Sequence, residues 1–213
     1  MINKESLKLI NTFLFSFMVA FSKLNIIFIL PLLTILFIEK DYFFKILKKL
    51  FLLNLFIIIL VIFVYFQNKT EALELFIRTN IILLFTISIF YKSQGYDIAR
   101  GLDSLKFPSK IVSVLYFTIS LIKYVQIDLK NTKNTLKSRG FIPNTSIFTY
   151  QTYGNIFAMI FIKILKKSED IKISMCARGF KDKIFFLPSD KIKNTEIFLF
   201  VLIIIEVFYE LFY

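Results

Sequence analysis

Long apolar runs separated by short lysine-rich segments dominate this sequence. Hydrophobic residues make up 57% of the 213 residues, and the mean hydropathy is +0.70. A soluble domain usually has an apolar content of about 45–50%. A helix needs about 20 consecutive apolar residues to cross the hydrocarbon core of a bilayer. The sequence therefore predicts an all-α, polytopic membrane protein.

Composition also excludes several kinds of catalytic and metal site. The chain has one cysteine, Cys176, and no histidine, which excludes an internal disulfide, Cys/His zinc sites and histidine-based acid–base catalysis. It has no glycine-rich phosphate loop and no acidic cluster of the kind that holds Mg²⁺ for phosphotransfer. We expect no catalytic residues, no cofactor and no metal site. The net charge of +12 is explained by lysines that face the cytoplasm and anionic lipid. It therefore does not indicate binding to nucleic acid.

The apolar runs predict about five membrane-spanning helices. Residues 9–38 are too long for one span and short for two, and the polar turn Ser22-Lys23-Leu24-Asn25 favours two short helices. No small-residue cleavage site follows the opening lysines, so we interpret the first run as a retained span rather than a signal peptide. Further spans are expected at about residues 50–66, 75–91 and 196–213.

The distribution of basic residues predicts the orientation. Segments 39–49 and 92–110 each contain four basic residues, whereas segment 67–74 has only Lys69 beside two glutamates. Short loops rich in Lys and Arg stay in the cytoplasm. We therefore expect a protein of the cytoplasmic membrane with its N-terminus inside and its C-terminus outside. The predicted domains are N-terminal transmembrane helices (1–94), a cytoplasmic region (95–193) and a C-terminal transmembrane helix (194–213).

Two long helices are predicted in the cytoplasmic region. The first begins at Pro108, continues without Gly or Pro to Ser138, and ends at Arg139-Gly140. Its second half has a polar stripe at helical spacing, which is either a face toward water or lipid or a contact for an acidic partner. The stripe consists of Lys123, Gln126, Lys130, Lys133 and Lys137. The second helix is expected from about Thr145 to Cys176, bent or broken near Gly154 and around residues 168–170.

Both long helices end in matching hexapeptides, Leu136–Phe141 and Met175–Phe180. The chain has only four arginines against 23 lysines, and these hexapeptides contain two of them, Arg139 and Arg178. A guanidinium is a planar fork that binds carboxylates in a way that an ammonium cannot. The same pattern is also typical of an ordinary helix end, with glycine as the cap and a cation near the dipole. Both interpretations can hold together.

Three motifs in this layout resemble the transmembrane T component of energy-coupling factor (ECF) transporters, which includes the Q-type permease subunit of cobalt and nickel importers. They are Gly101-Leu102-Asp103-Ser104-Leu105-Lys106-Phe107-Pro108 and the two Arg-Gly tips, followed by one last span. The resemblance implies that each tip arginine docks into one of two ATP-binding-cassette subunits. It implies the docking residues Ser138, Arg139, Gly140, Ala177, Arg178 and Gly179. Ser138 departs from the Ala that is usual in the family.

A third tripeptide, Ala99-Arg100-Gly101, lies where the family has a turn rather than a coupling tip. We interpret Arg100 there as a positive-inside anchor. Glu206 and Glu210 share one face of the last span, and ionisable groups in a span are candidate functional sites. Their position toward the outer end of the span explains these two glutamates equally well without a functional role.

The resemblance implies a non-catalytic scaffold that transmits motion of the ATPases to a separate substrate-binding membrane subunit, the S component. The implied cargo is a vitamin or a transition-metal ion such as cobalt or nickel, and the partners also include membrane lipid but no nucleic acid. Two alternatives stay open. One is an ordinary ABC permease, in which a single coupling segment per chain and dimerisation are expected. The other is a membrane enzyme or structural protein that binds lipid phosphate through its Arg-Gly tips.

Overall fold

The described residues form helices and connecting segments, with no β-strand in the described ranges. A computed structural model describes residues 3–22, 25–187, 192 and 194–212. Lys23 and Leu24 of the predicted turn, and residue 193 at a predicted domain boundary, lie outside these ranges. The helices are α1 (Lys4–Phe21), α2 (Ile29–Ile38), α3 (Phe43–Tyr65), α4 (Lys69–Phe90), α5 (Gly95–Ser104), α6 (Ser109–Ser138), α7 (Ile147–Ala177) and α8 (Asn194–Phe212). The predicted all-α class is confirmed.

The chain divides into two compact units. The first comprises Met1–Leu105 and Leu187–Tyr213, and the second comprises Lys106–Phe186. The predicted domain boundaries at residues 94 and 193 divide the chain by function, whereas these units are defined by packing. Those boundaries therefore stay a prediction.

Within the described residues, three helices, α3, α4 and α6, are long and apolar enough to cross a membrane. At 1.5 Å per residue, α3 is about 35 Å long, more than the roughly 30 Å of a bilayer's hydrocarbon core. Helices α1 and α8 each carry three charged residues, and α2 has only ten residues. The chain is a membrane protein, whereas five spans and the orientation of the termini stay predictions.

The surface of α3 is apolar around most of its circumference. Phe44 is 85% exposed, Phe51 is 79% exposed and Phe63 is 74% exposed. A helix whose large apolar side chains are bare of protein needs an apolar solvent. The exposed face of α3 is therefore suited to contact lipid or an apolar partner.

The core of the first unit lies among α1, α2, α4 and α8. Phe15 of α1 stacks on Phe85 of α4 with ring centroids 3.9 Å apart, and both are fully buried. Leu199 and Ile203 of α8 and Ile35 of α2 complete the cluster. Lipid tails are as apolar as these side chains, so close packing rather than the hydrophobic effect holds such helices together.

Polar contacts supplement this packing. Asn54 of α3 donates to the side-chain oxygen of Asn80 in α4 at 2.7 Å. Arg78 donates to the carbonyls of Ala20 and Ser22 at 2.6 and 3.0 Å. Those carbonyls lie at the end of α1, where a helix leaves its last carbonyl groups without partners. Arg78 thus has a structural role in closing α1.

Two acids of α8 have different surroundings. Glu206 is 3% exposed, and neither of its carboxylate oxygens has a hydrogen-bond partner among the described residues. Glu210 accepts a hydrogen bond from the side chain of Asn25 at 2.8 Å. Glu210 is thus explained by a contact near the end of α8, while a proton or ion role for Glu206 stays a hypothesis.

The short helix α5 was not predicted, and it corrects the interpretation of Arg100-Gly101 as a turn. Both residues lie inside α5, which begins where the carboxylate of Asp97 accepts the backbone N–H of Gln94 at 2.6 Å. This is half of a capping box. A Cβ on Gly101 would lie 2.6 Å from a methyl carbon of Leu9 and 3.2 Å from the backbone of α1. Gly101 therefore permits close packing of α5 on α1 instead of making a turn.

The second unit is an antiparallel pair of long helices. The ammonium of Lys163 in α7 donates to the carboxylate of Asp128 in α6 at 3.3 Å, and the Lys167 ammonium lies 5.7 Å from the ring centre of Tyr124. Residues later in α7 thus pair with residues earlier in α6. The predicted bounds of α6 are confirmed, because it begins directly after Pro108 and ends at Ser138.

Helix α7 is continuous over 31 residues, so breaks near Gly154 and around residues 168–170 are wrong, while a bend there stays a prediction. One glycine costs a helix only about 1 kcal/mol relative to alanine. The polar residues of segment 168–170 do not break the backbone hydrogen bonds of a helix. The helix begins where the hydroxyl of Ser146 accepts the backbone N–H of Thr149 at 3.4 Å.

Candidate functional site

The first Arg-Gly-Phe tip closes α6 with a Schellman motif. The N–H of Gly140 donates to the carbonyl of Lys137 at 3.1 Å, and the N–H of Phe141 donates to the carbonyl of Leu136 at 3.0 Å. Gly140 has a φ of 76°, in the left-handed region that glycine adopts without steric cost. The predicted glycine cap is confirmed for α6.

The second tip repeats this geometry at the end of α7. The N–H of Gly179 donates to the carbonyl of Cys176 at 3.0 Å, and that of Phe180 donates to Met175 at 3.0 Å. Gly179 has a φ of 69°. The two hexapeptides therefore place Arg139 and Arg178 at the same position of the same motif, directly before the left-handed glycine.

Both tip arginines are exposed. Neither guanidinium has a hydrogen-bond or ion-pair partner among the described residues. The hydroxyl of Ser138 donates to the carbonyl of Asn134 at 3.0 Å, so the departure from Ala adds no unpaired polar group. Ala177 is also exposed. Each tip thus presents a small residue and a free cation with five N–H donors.

The phenylalanine of each tip is anchored on the second unit. Phe141 packs edge-on against Tyr153 of α7, with ring centroids 6.1 Å apart at 87°. Phe180 packs edge-on against Phe117 of α6 at 5.8 Å and 78°. Edge-to-face aromatic pairs at these separations are favourable. Each arginine is therefore mounted on a capped and anchored backbone.

The tips lie at opposite ends of the helix pair. Phe180, at the second tip, contacts Phe117, which lies 22 residues before Arg139 along α6. At 1.5 Å per residue, this places the two tips roughly 33 Å apart along the helix axis.

A hollow lies beside each tip. The larger one, of about 830 Å³, lies between α6 and the start of α7 and has an apolar floor that includes Leu136 and Phe141. Three members of the predicted lysine stripe border it, namely Lys130, Lys133 and Lys137. A smaller hollow of about 400 Å³ beside the second tip is lined by Met175 and Phe180. Apolar surface rimmed by cations suits an apolar and acidic partner.

A match to a known protein family spans nearly all of these features. Residues 3–185 match the CbiQ family of cobalt transport proteins. The chain belongs to this family. No curated protein matches the sequence. As a CbiQ-family protein, the chain is a membrane component of a transport system, and the matched range contains both tips.

The four arginines of this CbiQ-family chain have three different surroundings. Arg78 is bonded within the first unit, Arg100 is half-buried there, and only Arg139 and Arg178 are exposed at helix ends. The letters Ala-Arg-Gly alone therefore do not define a tip, since Ala99-Arg100-Gly101 lies inside α5. In the described residues no group of three His, Cys, Asp or Glu side chains is placed to hold a metal ion.

Sequence reasoning missed the cavity in which Arg100 lies. It has a volume of about 320 Å³ and is lined by residues of α1, α5 and α8, among others. The capping pair Gln94 and Asp97 was the signal that could have shown α5, and with it the inward position of Arg100.

Proposed function

We propose that this chain is the transmembrane coupling subunit of an ECF-type importer, which transmits ATP-driven motion of two ATPase subunits to a separate substrate-binding membrane subunit. The observation that supports this most is the pair of tips. Two exposed arginines occupy identical positions in identical caps, roughly 33 Å apart along one helix pair. A single chain that holds two equivalent partner subunits needs two equivalent contact points.

Arginine suits this docking because its guanidinium forms paired, charge-assisted hydrogen bonds with carboxylates or carbonyls of a partner. The tips need no rearrangement before binding, since each cap is closed by two backbone hydrogen bonds and one aromatic contact. Pre-organised contacts lose less entropy on association. Charged lysines beside the first hollow would add electrostatic attraction to an acidic ATPase surface.

Motion would travel along α6 and α7 as rigid elements. The packing of Phe180 on Phe117 and the pair Asp128–Lys163 connect the two helices, so displacement of one tip would also move the other helix. When the ATPases close on ATP, a change in distance between the docking points would rotate or shear this pair.

An exposed apolar surface near the middle of α7 would receive this motion. Phe157 is 72% exposed and stacks on Phe161, which is 53% exposed. A contiguous apolar surface of this kind marks a lipid or protein contact. We assign it to the substrate-binding subunit and surrounding lipid. Family membership favours a transition-metal ion such as cobalt as the cargo, and a vitamin is the alternative.

Arginine substitutions at the tips test this function. Arg139→Ala and Arg178→Ala are each expected to weaken copurification with the ATPase subunits by about 2–5 kcal/mol, which is more than tenfold in affinity. Arg→Lys is expected to impair docking too, because a lysine lacks the fork. Arg100→Ala is the matched control for copurification, since Arg100 has the same tripeptide but lies in α5. Normal copurification and uptake with both tip variants would show that the tips do not dock ATPases.

Cys176 gives a direct readout at the second tip. It is the only cysteine of the chain, it is exposed, and it lies two residues before Arg178. Its alkylation by a maleimide should slow when ATPases are added and recover with Arg178→Ala. An unchanged alkylation rate in a complex that contains the ATPases would place the docking surface elsewhere. Turnover of lipid phosphate by the isolated chain would instead favour a membrane enzyme.

A further inference from the structure

A polar cavity in the first unit contains donors and acceptors that lack partners. The guanidinium of Arg100 and the ammonium of Lys8 line it, and neither has a hydrogen-bond or ion-pair partner among the described residues. The Nε of Arg100 is enclosed as well as unpaired. Buried polar groups without partners are uncommon in native proteins and need an explanation. Two cations that line one cavity and have free N–H groups suit a phosphate.

Unpaired acceptors face the same space. Asn11 is 2% exposed, and its side-chain oxygen has no hydrogen-bond partner in the described part of the chain. The same holds for one carboxylate oxygen each of Glu5 and Glu196. These acceptors call for a ligand that also donates N–H or O–H groups. An inorganic phosphate carries at most two O–H groups near neutral pH, which is fewer than these three acceptors.

The overall charge of the lining is balanced. Four basic and four acidic side chains surround the cavity, and two ion pairs, Lys4–Glu196 and Lys92–Glu39, lie within it. A ligand with a large net charge would upset this balance, since the attraction to one set of side chains is offset by repulsion from the other. The complementary ligand carries one positive and one negative group.

An apolar groove adjoins the cavity. It has a volume of about 620 Å³, lies between α2 and α8, and is lined by Leu33, Phe37 and Phe198, among others. Ile38 and Thr195 border both the cavity and the groove, so the two spaces meet at these residues. A single ligand with a polar end and an apolar tail can occupy both.

We propose that this cavity and groove bind one phospholipid with an ethanolamine headgroup. Arg100 and Lys8 hold the phosphate, Asn11 and Glu5 accept hydrogen bonds from the primary ammonium, and an acyl chain lies along the groove between α2 and α8. The bound lipid would link four helices, α1, α2, α5 and α8. The site is independent of the two tips and of ATPase docking.

Native mass spectrometry of the purified full-length chain tests the site. The protein is presented with equal amounts of phosphatidylethanolamine, phosphatidylcholine and phosphatidylglycerol, and the lipid retained per chain is measured. Choline has no N–H group to donate to Asn11 and Glu5, so retention of phosphatidylethanolamine should exceed that of phosphatidylcholine by about tenfold or more. Phosphatidylglycerol should also be retained less, because its net charge is not balanced. Equal retention of phosphatidylethanolamine and phosphatidylcholine overturns the proposal.

Three variants address the parts of the site separately. Arg100→Gln should lower phosphatidylethanolamine retention about tenfold through loss of the phosphate contact. Asn11→Leu should remove most of the preference over phosphatidylcholine. Thr195→Trp should block the junction between cavity and groove without changing any charge. Lys45→Gln, which removes an exposed lysine outside the cavity, is the control and should retain lipid like the wild type.

Folding of each variant is checked by its elution as a single species and its helical circular dichroism. Because the three variants act on different elements, a folding failure of one leaves two that test the site. Wild-type retention in all variants that fold would refute the assignment. Loss of lipid in Arg100→Gln together with normal ATPase copurification is the combination expected here.

Discussion

Two glycines, one within α7 and one just after its end, should respond in opposite directions to the same substitution. Gly154 lies within the helix, and Gly179 follows its end with a φ of 69°. A Cβ added at either position meets no heavy atom within 4 Å. An added methyl group therefore makes no steric contact with other residues at either site. Only the backbone conformation distinguishes the two sites.

The expected magnitudes follow from that conformation. An L-residue in the left-handed region costs about 1–2 kcal/mol, and the lower entropy of the unfolded chain returns about 0.4–1 kcal/mol of this. Gly179→Ala should thus destabilise the second tip by about 1 kcal/mol net. In the helix interior alanine is better than glycine by about 0.5–1 kcal/mol. Gly154→Ala should therefore stabilise α7.

Amide hydrogen exchange of the reconstituted protein measures both effects locally. In Gly179→Ala, the amides of residues 179 and 180, which close the cap at 3.0 Å each, should exchange about fivefold faster. In Gly154→Ala, amides in the middle of α7 should exchange more slowly. Gly179→Asn should be milder than Gly179→Ala, since Asn tolerates the left-handed region.

Gly140 provides an internal repeat of this experiment. Its φ is 76°, and a Cβ there also meets nothing within 4 Å, so Gly140→Ala should match Gly179→Ala. Slower exchange at the tip in Gly179→Ala, or faster exchange in Gly154→Ala, would refute the conformational argument. A response at only one tip would show that the two caps are not equivalent.

Further substitutions test the packing. Gly101→Ala should destabilise the first unit by about 1–3 kcal/mol, as overpacking does, measured as a lower thermal midpoint; an unchanged midpoint would contradict the close approach of α5 to α1. Asn80→Leu leaves Asn54 without its acceptor and should cost about 0.6–1.7 kcal/mol, measured by denaturant titration in detergent. A double-mutant cycle on Asp128 and Lys163 should give a coupling below about 1 kcal/mol, because Lys163 is 46% exposed; a coupling of several kcal/mol would show that the pair is desolvated.

Local signals in the sequence predicted the helix ends well. Pro108, Gly140 and Gly179 mark ends that depend on the conformation of one or two residues, and the structure has those ends at the predicted places. The prediction of a break in α7 failed because it gave Gly154 and a few polar residues more weight than 31 residues of continuous helix. Helix-breaking tendencies of about 1 kcal/mol do not decide the course of a long helix.

Tertiary contacts explain what the sequence did not show. The position of Arg100 depends on α5 packing against α1, and that contact depends on the absence of a side chain at Gly101. Nothing in the spacing of apolar residues distinguishes a glycine that makes a turn from one that permits close packing. The three copies of Ala/Ser-Arg-Gly are thus separated by backbone φ and burial, which only the folded chain has.

The two tips share a cap but differ in what holds them. Phe141 packs against Tyr153, twelve residues later, so the first tip is built from neighbouring sequence. Phe180 packs against Phe117, 63 residues earlier, so the second tip depends on the pairing of α6 with α7. Because both caps are closed by local backbone hydrogen bonds, separation of the helices would leave each arginine on a formed cap. It would change the position of the second tip relative to the first, and under the proposed function that distance is the one that ATPase closure changes.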